Sequence, residues 1–146
     1  MNEILKFYSA GEWTTGNGEP FATINPATGV TISMVSGASV ADVDNTAKKA
    51  KRSFNNPSWR DLKPHERARF LYRIGELIDA EAEKLSYIQM TDNGKTITEC
   101  RQMIVGAANC FRYYSSVCET LEGVVTPSRG DYMSMAVSEP IGIIGL

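Results

Sequence analysis

The sequence predicts an α/β protein with a small antiparallel β meander first, three long helices next and two β segments at the end. Three observations carry this. Residues 5–36 alternate with period two between turn residues, and residues 39–121 place apolar residues at spacings of three and four. Ile141-Gly142-Ile143-Ile144-Gly145-Leu146, after the Glu139-Pro140 turn, is a near-continuous apolar run. Such a run reads as a strand buried on both faces, as in parallel sheets, and a parallel partner requires a crossover first. No residues remain to supply one, so the expectation is the opening portion of a larger α/β protein.

The meander is built from short pieces. Phe7-Tyr8 and Trp13-Thr14-Thr15 flank a turn at Gly11-Glu12, and residues 15–20 form a loop cluster. Phe21-Ala22-Thr23-Ile24 is a strand, Asn25-Pro26-Ala27-Thr28-Gly29 a turn, and residues 30–35 the return strand. Ser39 then suits an N-cap with Asp42 in its capping box, and Val40, Val43, Ala47, Ala50 and Phe54 line one face of the first helix. Asn55-Asn56-Pro57 ends it. Pro64 opens the second, with Phe70, Leu71, Ile74, Leu77 and Ile78 as its stripe, a break near Asp79-Ala80, and Gly94 as a left-handed terminator. The third places Ile97, Cys100, Ile104, Ala107, Phe111, Tyr114, Cys118 and Leu121 on one stripe and closes at Gly123. Ser128-Arg129-Gly130-Asp131 turns into an edge strand over 132–137, whose methionines suit either strand packing or a partner surface.

Composition excludes several classes. A 146-residue chain with a formal net charge of −2 gives no electrostatic footprint for nucleic acid or an anionic membrane. The apolar runs fall short of the ~20 residues a membrane span needs. The N-terminus has neither a basic nor an apolar signal region. Three cysteines without Cys-x-x-Cys spacing predict reduced thiols in the cytoplasm. A domain of this length is expected to bury roughly 70% of its unfolded surface.

Individual residues offer little independent chemistry. Cys100 and Cys118 fall on the third helix's apolar stripe with Cys110 beside it, which favours packing over a nucleophile or a zinc site. His65, the sole histidine, sits at a helix start with no nucleophile placed to use it. Lys48, Lys49, Lys51 and Arg52 complement the C-terminal pole of the first helix; phosphate binding is their second reading. Asp92, in Thr91-Asp92-Asn93-Gly94-Lys95, puts a carboxylate at the negative pole of a helix. That placement calls for Lys95 or a bound cation to offset it, and a hard cation would take one carboxylate plus main-chain carbonyls. Gly142 and Gly145 are too isolated to define a dinucleotide loop.

The segments taken in order resemble the N-terminal part of the NAD(P)-dependent aldehyde dehydrogenase superfamily. The residues that carry the resemblance begin with Thr23-Ile24-Asn25-Pro26-Ala27-Thr28-Gly29 and Asp42-Val43-Asp44. Trp59, Leu62, Pro64, Glu66-Arg67, Ala68-Arg69, Arg73-Ile74 and Glu76-Leu77-Ile78 follow. Asp92-Asn93-Gly94-Lys95, Glu99, Phe111-Arg112-Tyr113-Tyr114, Gly123 and Glu139-Pro140-Ile141-Gly142 complete the set.

The resemblance implies that residues 1–146 form the first part of a coenzyme-binding domain. Residues 124–138 would belong to an oligomerisation arm, and 141–146 would be the first strand of an incomplete Rossmann-like unit. The complete enzyme would oxidise an aldehyde to a carboxylate with NAD or NADP as hydride acceptor, acting as a homodimer or homotetramer. Its catalytic asparagine, glutamate and cysteine would lie beyond Leu146, so the resemblance assigns this chain no catalytic or cofactor-binding residue and no activity alone. It also implies a monovalent cation, K+ or Na+, on main-chain oxygens of Thr23 and Ile24 and on Asp92. The alternative is a non-catalytic oligomerisation or scaffolding module that sets its edge strand against a partner chain.

Overall fold

The structure is a computed structural model describing residues 4–128 and 130–145. Met1, Asn2, Glu3, Arg129 and Leu146 lie outside the described residues. Its elements are β1 (Phe7–Ser9), β2 (Glu12–Thr14), β3 (Gly18–Ile24), β4 (Thr31–Gly37), α1 (Val40–Phe54), α2 (Pro57–Arg60), α3 (Pro64–Ala80), α4 (Ala82–Asn93), α5 (Ile97–Val117), β5 (Val124–Thr126) and β6 (Ser134–Ala136).

The expected meander is two hairpins. β1 pairs antiparallel with β2, and β3 with β4. Ala10 and Gly11, both at positive φ (52° and 91°), make the tight β1–β2 turn that matches strand twist. Leu5 bridges to Val35 in parallel, with its N–H 2.8 Å from the Met34 carbonyl and its carbonyl 2.9 Å from the Ser36 N–H. That bridge hangs the first hairpin on the second. β3 starts at Gly18, inside the expected loop cluster, because Gly18 pairs with Gly37 across the sheet.

The first helix forms where its expected cap places it, and the third is capped by a box the sequence reading did not name. Ser39 and Asp42 make a reciprocal capping box at α1, as do Thr96 and Glu99 at α5. The break expected near Asp79-Ala80 falls at Glu81, which separates α3 from α4. α5 ends at Val117, before the expected stop at Gly123, and Cys118 is its C-cap. The short α2 was not expected. Asn56 caps it, and the Arg67 guanidinium, 5.3 Å from the Trp59 ring, donates to the carbonyls of Trp59 and Arg60.

α3 and α4 pack on α5 through small residues. Ala68, Gly75, Cys100, Ala108 and Ser115 are buried, and the Ser115 hydroxyl donates to the Ala68 carbonyl at 2.8 Å. A Cβ at Gly75 would stand 3.0 Å from the Ala108 carbonyl oxygen and 3.2 Å from Arg112 Cγ. Across the exposed edges Arg101 forks onto Glu83 at 2.8 and 2.9 Å, and Arg112 pairs with Asp79. The Arg101 guanidinium holds the Glu83 carboxyl below its ordinary range.

The expected stripes are only partly covered. Val40 is 88% exposed, and Val43, Phe70, Leu77, Ile88, Ala107 and Tyr114 are also exposed. Ile141, Ile143 and Ile144 pair with no strand among the described residues, and Ile141 is 94% exposed. A run built to be sandwiched in a parallel sheet has no neighbouring strand here to take its hydrogen bonds. The accessible surface is 11482 Å² for 16.0 kDa, against about 7,400 Å² for a compact monomer of that mass. The chain thus buries about half of its unfolded surface rather than the expected ~70%.

The contact at Gly75 gives a direct test. Alanine there would gain up to about 1 kcal/mol of helix propensity but would press on main chain in a junction where overpacking costs about 1–3 kcal/mol. Gly75→Val, with more bulk and no propensity gain of that size, is expected to lower stability by about 2 kcal/mol. A denaturant midpoint shifted down at unchanged slope would confirm this; an unchanged midpoint would contradict it.

Candidate functional site

Thr23 and Ile24 lie at the end of β3, where the ladder is irregular. Thr23 is registered with Ser33 and Ile24 with Thr31, so Ile32 is passed over in a bulge opposite these two residues. A bulge leaves its extra residue, here Ile32, unpaired and disrupts the ladder locally, so the end of β3 is irregular beside Thr23 and Ile24. The chain then turns sharply. Asn25 Oδ1 accepts from the Ala27 N–H at 2.9 Å, the Asn25 carbonyl accepts from Gly29, and the Asn25 N–H returns to Val30. Gly29, at φ 72°, completes the turn.

Asp92 occupies the last turn of α4 and is exposed. Gly94 is the left-handed C-cap at φ 75°, its N–H bonded to the Met90 carbonyl at 3.0 Å. Asn93 Oδ1 accepts from the Lys95 N–H at 3.0 Å. Among the described residues Asp92 makes no ion pair, since the Lys95 ammonium lies 3.1 Å from Met103 Sδ instead. The helix-end carboxylate is therefore not offset by Lys95.

The two segments meet at Gly94. A Cβ there would stand 2.7 Å from Pro26 Cγ, so the turn after β3 is packed against the α4 cap. Glycine serves twice at this position, through its φ and through the proline it admits. Tertiary structure thus places Asp92-Asn93-Gly94 beside the segment that follows Thr23 and Ile24. Among the described residues no group of three or more His, Cys, Asp or Glu side chains could hold a metal. Any cation here would depend on main-chain oxygens around a single carboxylate.

The thiols stand apart. Cys100 has no exposed surface, Cys110 is exposed and Cys118 half-buried, and all are free. Arg101 and Arg112, their neighbours in sequence, are committed to Glu83 and Asp79. His65 lies on the first turn of α3 and Gly142 and Gly145 in the unpaired terminal segment.

Sequence reasoning placed Asp42 only in a cap, but it is also a junction. One carboxylate oxygen accepts from the Asn17 N–H, the Ser39 N–H and the Ser39 hydroxyl, each at 2.8 Å; the other accepts from the Asn17 amide at 2.8 Å. This ties the loop before β3 to the start of α1 across 25 positions. The only advance signal was an Asn in a turn-rich loop, which does not name its partner.

The aldehyde dehydrogenase family pattern matches residues 13–146. The chain is 35% identical over 142 residues to an aldehyde dehydrogenase of Aspergillus niger, covering 97% of this chain and 28% of that protein. It is 34% identical over 131 residues to the mitochondrial 10-formyltetrahydrofolate dehydrogenase of Mus musculus, covering 86% of this chain and 14% of that one. Its fold superposes on the NAD+ complex of a Bacillus cereus aldehyde dehydrogenase with a TM-score of 0.85 at 29% identity, over 91% of this chain and 28% of that structure. These residues define a mixed α/β segment built of antiparallel strand pairs and helices. The chain belongs to the aldehyde dehydrogenase family, matches the N-terminal part of its relatives and spans about 28% of the length of the Aspergillus and Bacillus proteins.

The Asp42 junction makes acid stability testable. Its four donors hold the carboxyl well below its ordinary value, the Asn17 and Ser39 N–H groups contributing most. A pKa depressed in the folded state gives stability that is present above the unfolded value, near 3.9, and lost as pH falls from there toward the folded value. Asp61, Glu83 and Glu99 are shifted the same way by Arg60, Arg101 and Thr96. Denaturation from pH 6 to about 2 should show stability falling below about pH 4. Asp42→Asn should flatten that fall, and an identical profile for the variant would rule out the role.

Proposed function

We propose that this chain is a shaping and assembling segment of an enzyme that oxidises an aldehyde to a carboxylate with NAD(P)+ as hydride acceptor, and that these residues carry no activity alone. The observation that carries the reading is the agreement of a family match across nearly the whole chain with an aldehyde dehydrogenase fold. Thiol attack, hydride transfer and thioester hydrolysis need a nucleophile, a base and a coenzyme cleft. Among the described residues no thiol is hydrogen-bonded to a base, Cys100 is inaccessible, and the flanking guanidiniums are taken by carboxylates. Free thiols throughout suit a reducing compartment, which supports a cytoplasmic setting.

The excess surface fits the same reading. An open groove of about 450 Å³ runs along α1, lined by Phe7, Val43, Ala47 and Ala50 and by Ile143 and Ile144. Apolar surface of this kind is stabilised by burial, and further chain packed on α1 and on residues 141–145 would supply it. The β5–β6 hairpin is exposed along both strands, with Met133 and Met135 outward. It is the surface proposed for association into a homodimer or homotetramer. That same hairpin favours the second reading, a non-catalytic module that acts through association alone.

Purified chain mixed with NAD+ or NADP+ and a panel of aldehydes is expected to give no increase in absorbance from reduced coenzyme. Aldehyde-dependent reduction by homogeneous protein would overturn the proposal. Light scattering on the same sample separates the two readings: a single discrete oligomer supports the module, and polydisperse association supports the enzyme segment.

A monovalent cation, K+ or Na+, is proposed to bind main-chain oxygens of Thr23 and Ile24 and the Asp92 carboxylate. Support comes from the ladder irregularity opposite Thr23 and Ile24, the contact of Pro26 with Gly94, and a helix-end carboxylate that makes no ion pair among the described residues. The ion would neutralise the α4 terminus and fix the β3 turn against it. Replacing KCl or NaCl with tetramethylammonium chloride at constant ionic strength should lower the melting temperature of the chain, and Asp92→Ala should remove the difference. A melting temperature indifferent to the cation would refute the site.

A further inference from the structure

The basic run on α1 is divided by the fold. Lys48 Nζ lies 2.6 Å from Asp44, and the Lys51 ammonium lies 5.9 Å from the Phe54 ring centroid. Lys49 and Arg52, three positions apart and so on one helical face, line a different feature. They border a cavity of about 200 Å³ between the β1–β2 hairpin and α1. Among the described residues neither makes an ion pair.

Apart from Phe7 the rest of the lining is polar, including Ser9, Thr14, Asn17, Asn45, Thr46 and Asp42. Ser9 is buried, and its hydroxyl lies 3.2 Å from that of Thr46. Lys49 is half-buried against the same wall. Asp42 is the one carboxylate of the lining, and the donors of Asn17 and Ser39 converge on it. Those donors occupy its oxygens and it pairs with neither cation, so Lys49, Arg52 and Asp42 together leave the lining with a net charge of +1.

From this arrangement we propose that the cavity binds a small phosphate group, as inorganic phosphate or as a phosphate monoester. Two cations free of ion pairs and flanked by hydroxyl and amide donors match an anion with several acceptor oxygens, because charge-assisted hydrogen bonds are the strong ones. A carboxylate offers two oxygens to these donors, whereas a phosphate monoester offers three. The volume falls below the ~300–1,000 Å³ of pockets that enclose drug-sized ligands, which suits a phosphate group. The site owes nothing to the aldehyde dehydrogenase reaction and stands whether or not that reading holds.

The test is titration of the full chain with inorganic phosphate and with glycerol phosphate, read by calorimetry and by melting temperature against chloride at matched ionic strength. Saturable one-site binding of either is expected, the monoester arm showing whether an esterified phosphate is accepted. The double variant Lys49→Gln, Arg52→Gln should weaken binding at least about tenfold, as loss of charge-assisted contacts implies. The control Lys48→Gln, Lys51→Gln removes the same charge from the same helix and should bind as the parent does. Circular dichroism confirms that both remain folded. Absence of saturable binding, or equal weakening in the two doubles, overturns the site in favour of diffuse charge.

Discussion

The close approach of α3 to α5 is the constraint on which the rest of the helical layer depends. Gly75 meets the Ala108 backbone, and Ser115 is bonded to the Ala68 carbonyl, so the two helices touch through main chain rather than through large side chains. Close approach leaves no slack, because a packed interior transmits a change of even one methylene. α4 follows because it is joined to α3 at Glu81 and lies on the same partner. The exposed pairs Arg101–Glu83 and Arg112–Asp79 then orient an arrangement already set by shape. Ion pairs with this exposure contribute little by themselves.

The hairpins are joined to the helices by points rather than by a broad core. Asp42 fastens the loop before β3 to the start of α1, and Pro26 seats the turn after β3 on the cap of α4. α1 meets the β1–β2 hairpin through polar side chains such as Ser9 and Thr46, while Val40 and Val43 face outward. Polar tethers define direction well but bury little apolar area, and the hydrophobic contribution scales with that area. This is why surface exceeds that of a compact monomer. The same inversion explains how a helix with an apolar stripe can be correctly folded and still lack a core partner.

Much of the local structure was legible because its causes are local. Ser39-Asp42 announces its helix through side chains that reach only three residues. Gly94 announces an ending through φ alone, and Asn25 to Gly29 announce a turn through their own hydrogen bonds. The errors came where the cause was distant. β3 begins early because Gly18 meets Gly37, and α2 exists because Arg67 reaches back to it. The apolar spacing of α1 was read correctly as periodicity, but periodicity does not say whether a partner is present.

The sequence by itself determined the order of the hairpins and long helical regions, the Ser39–Asp42 cap, the Gly94 terminator, the Asn25–Gly29 turn, and the residues that tie the chain to the aldehyde dehydrogenase family, since each rests on signals local to one segment. Only the tertiary structure decided which glycine must stay small, which loop Asp42 would hold, that Gly94 would meet Pro26, and how four neighbouring cations would divide. Those outcomes depend on groups far apart in the chain arriving within a few ångströms of one another. Nothing in local propensity encodes such distances. They follow from the packing of helices and hairpins that the local signals had already made.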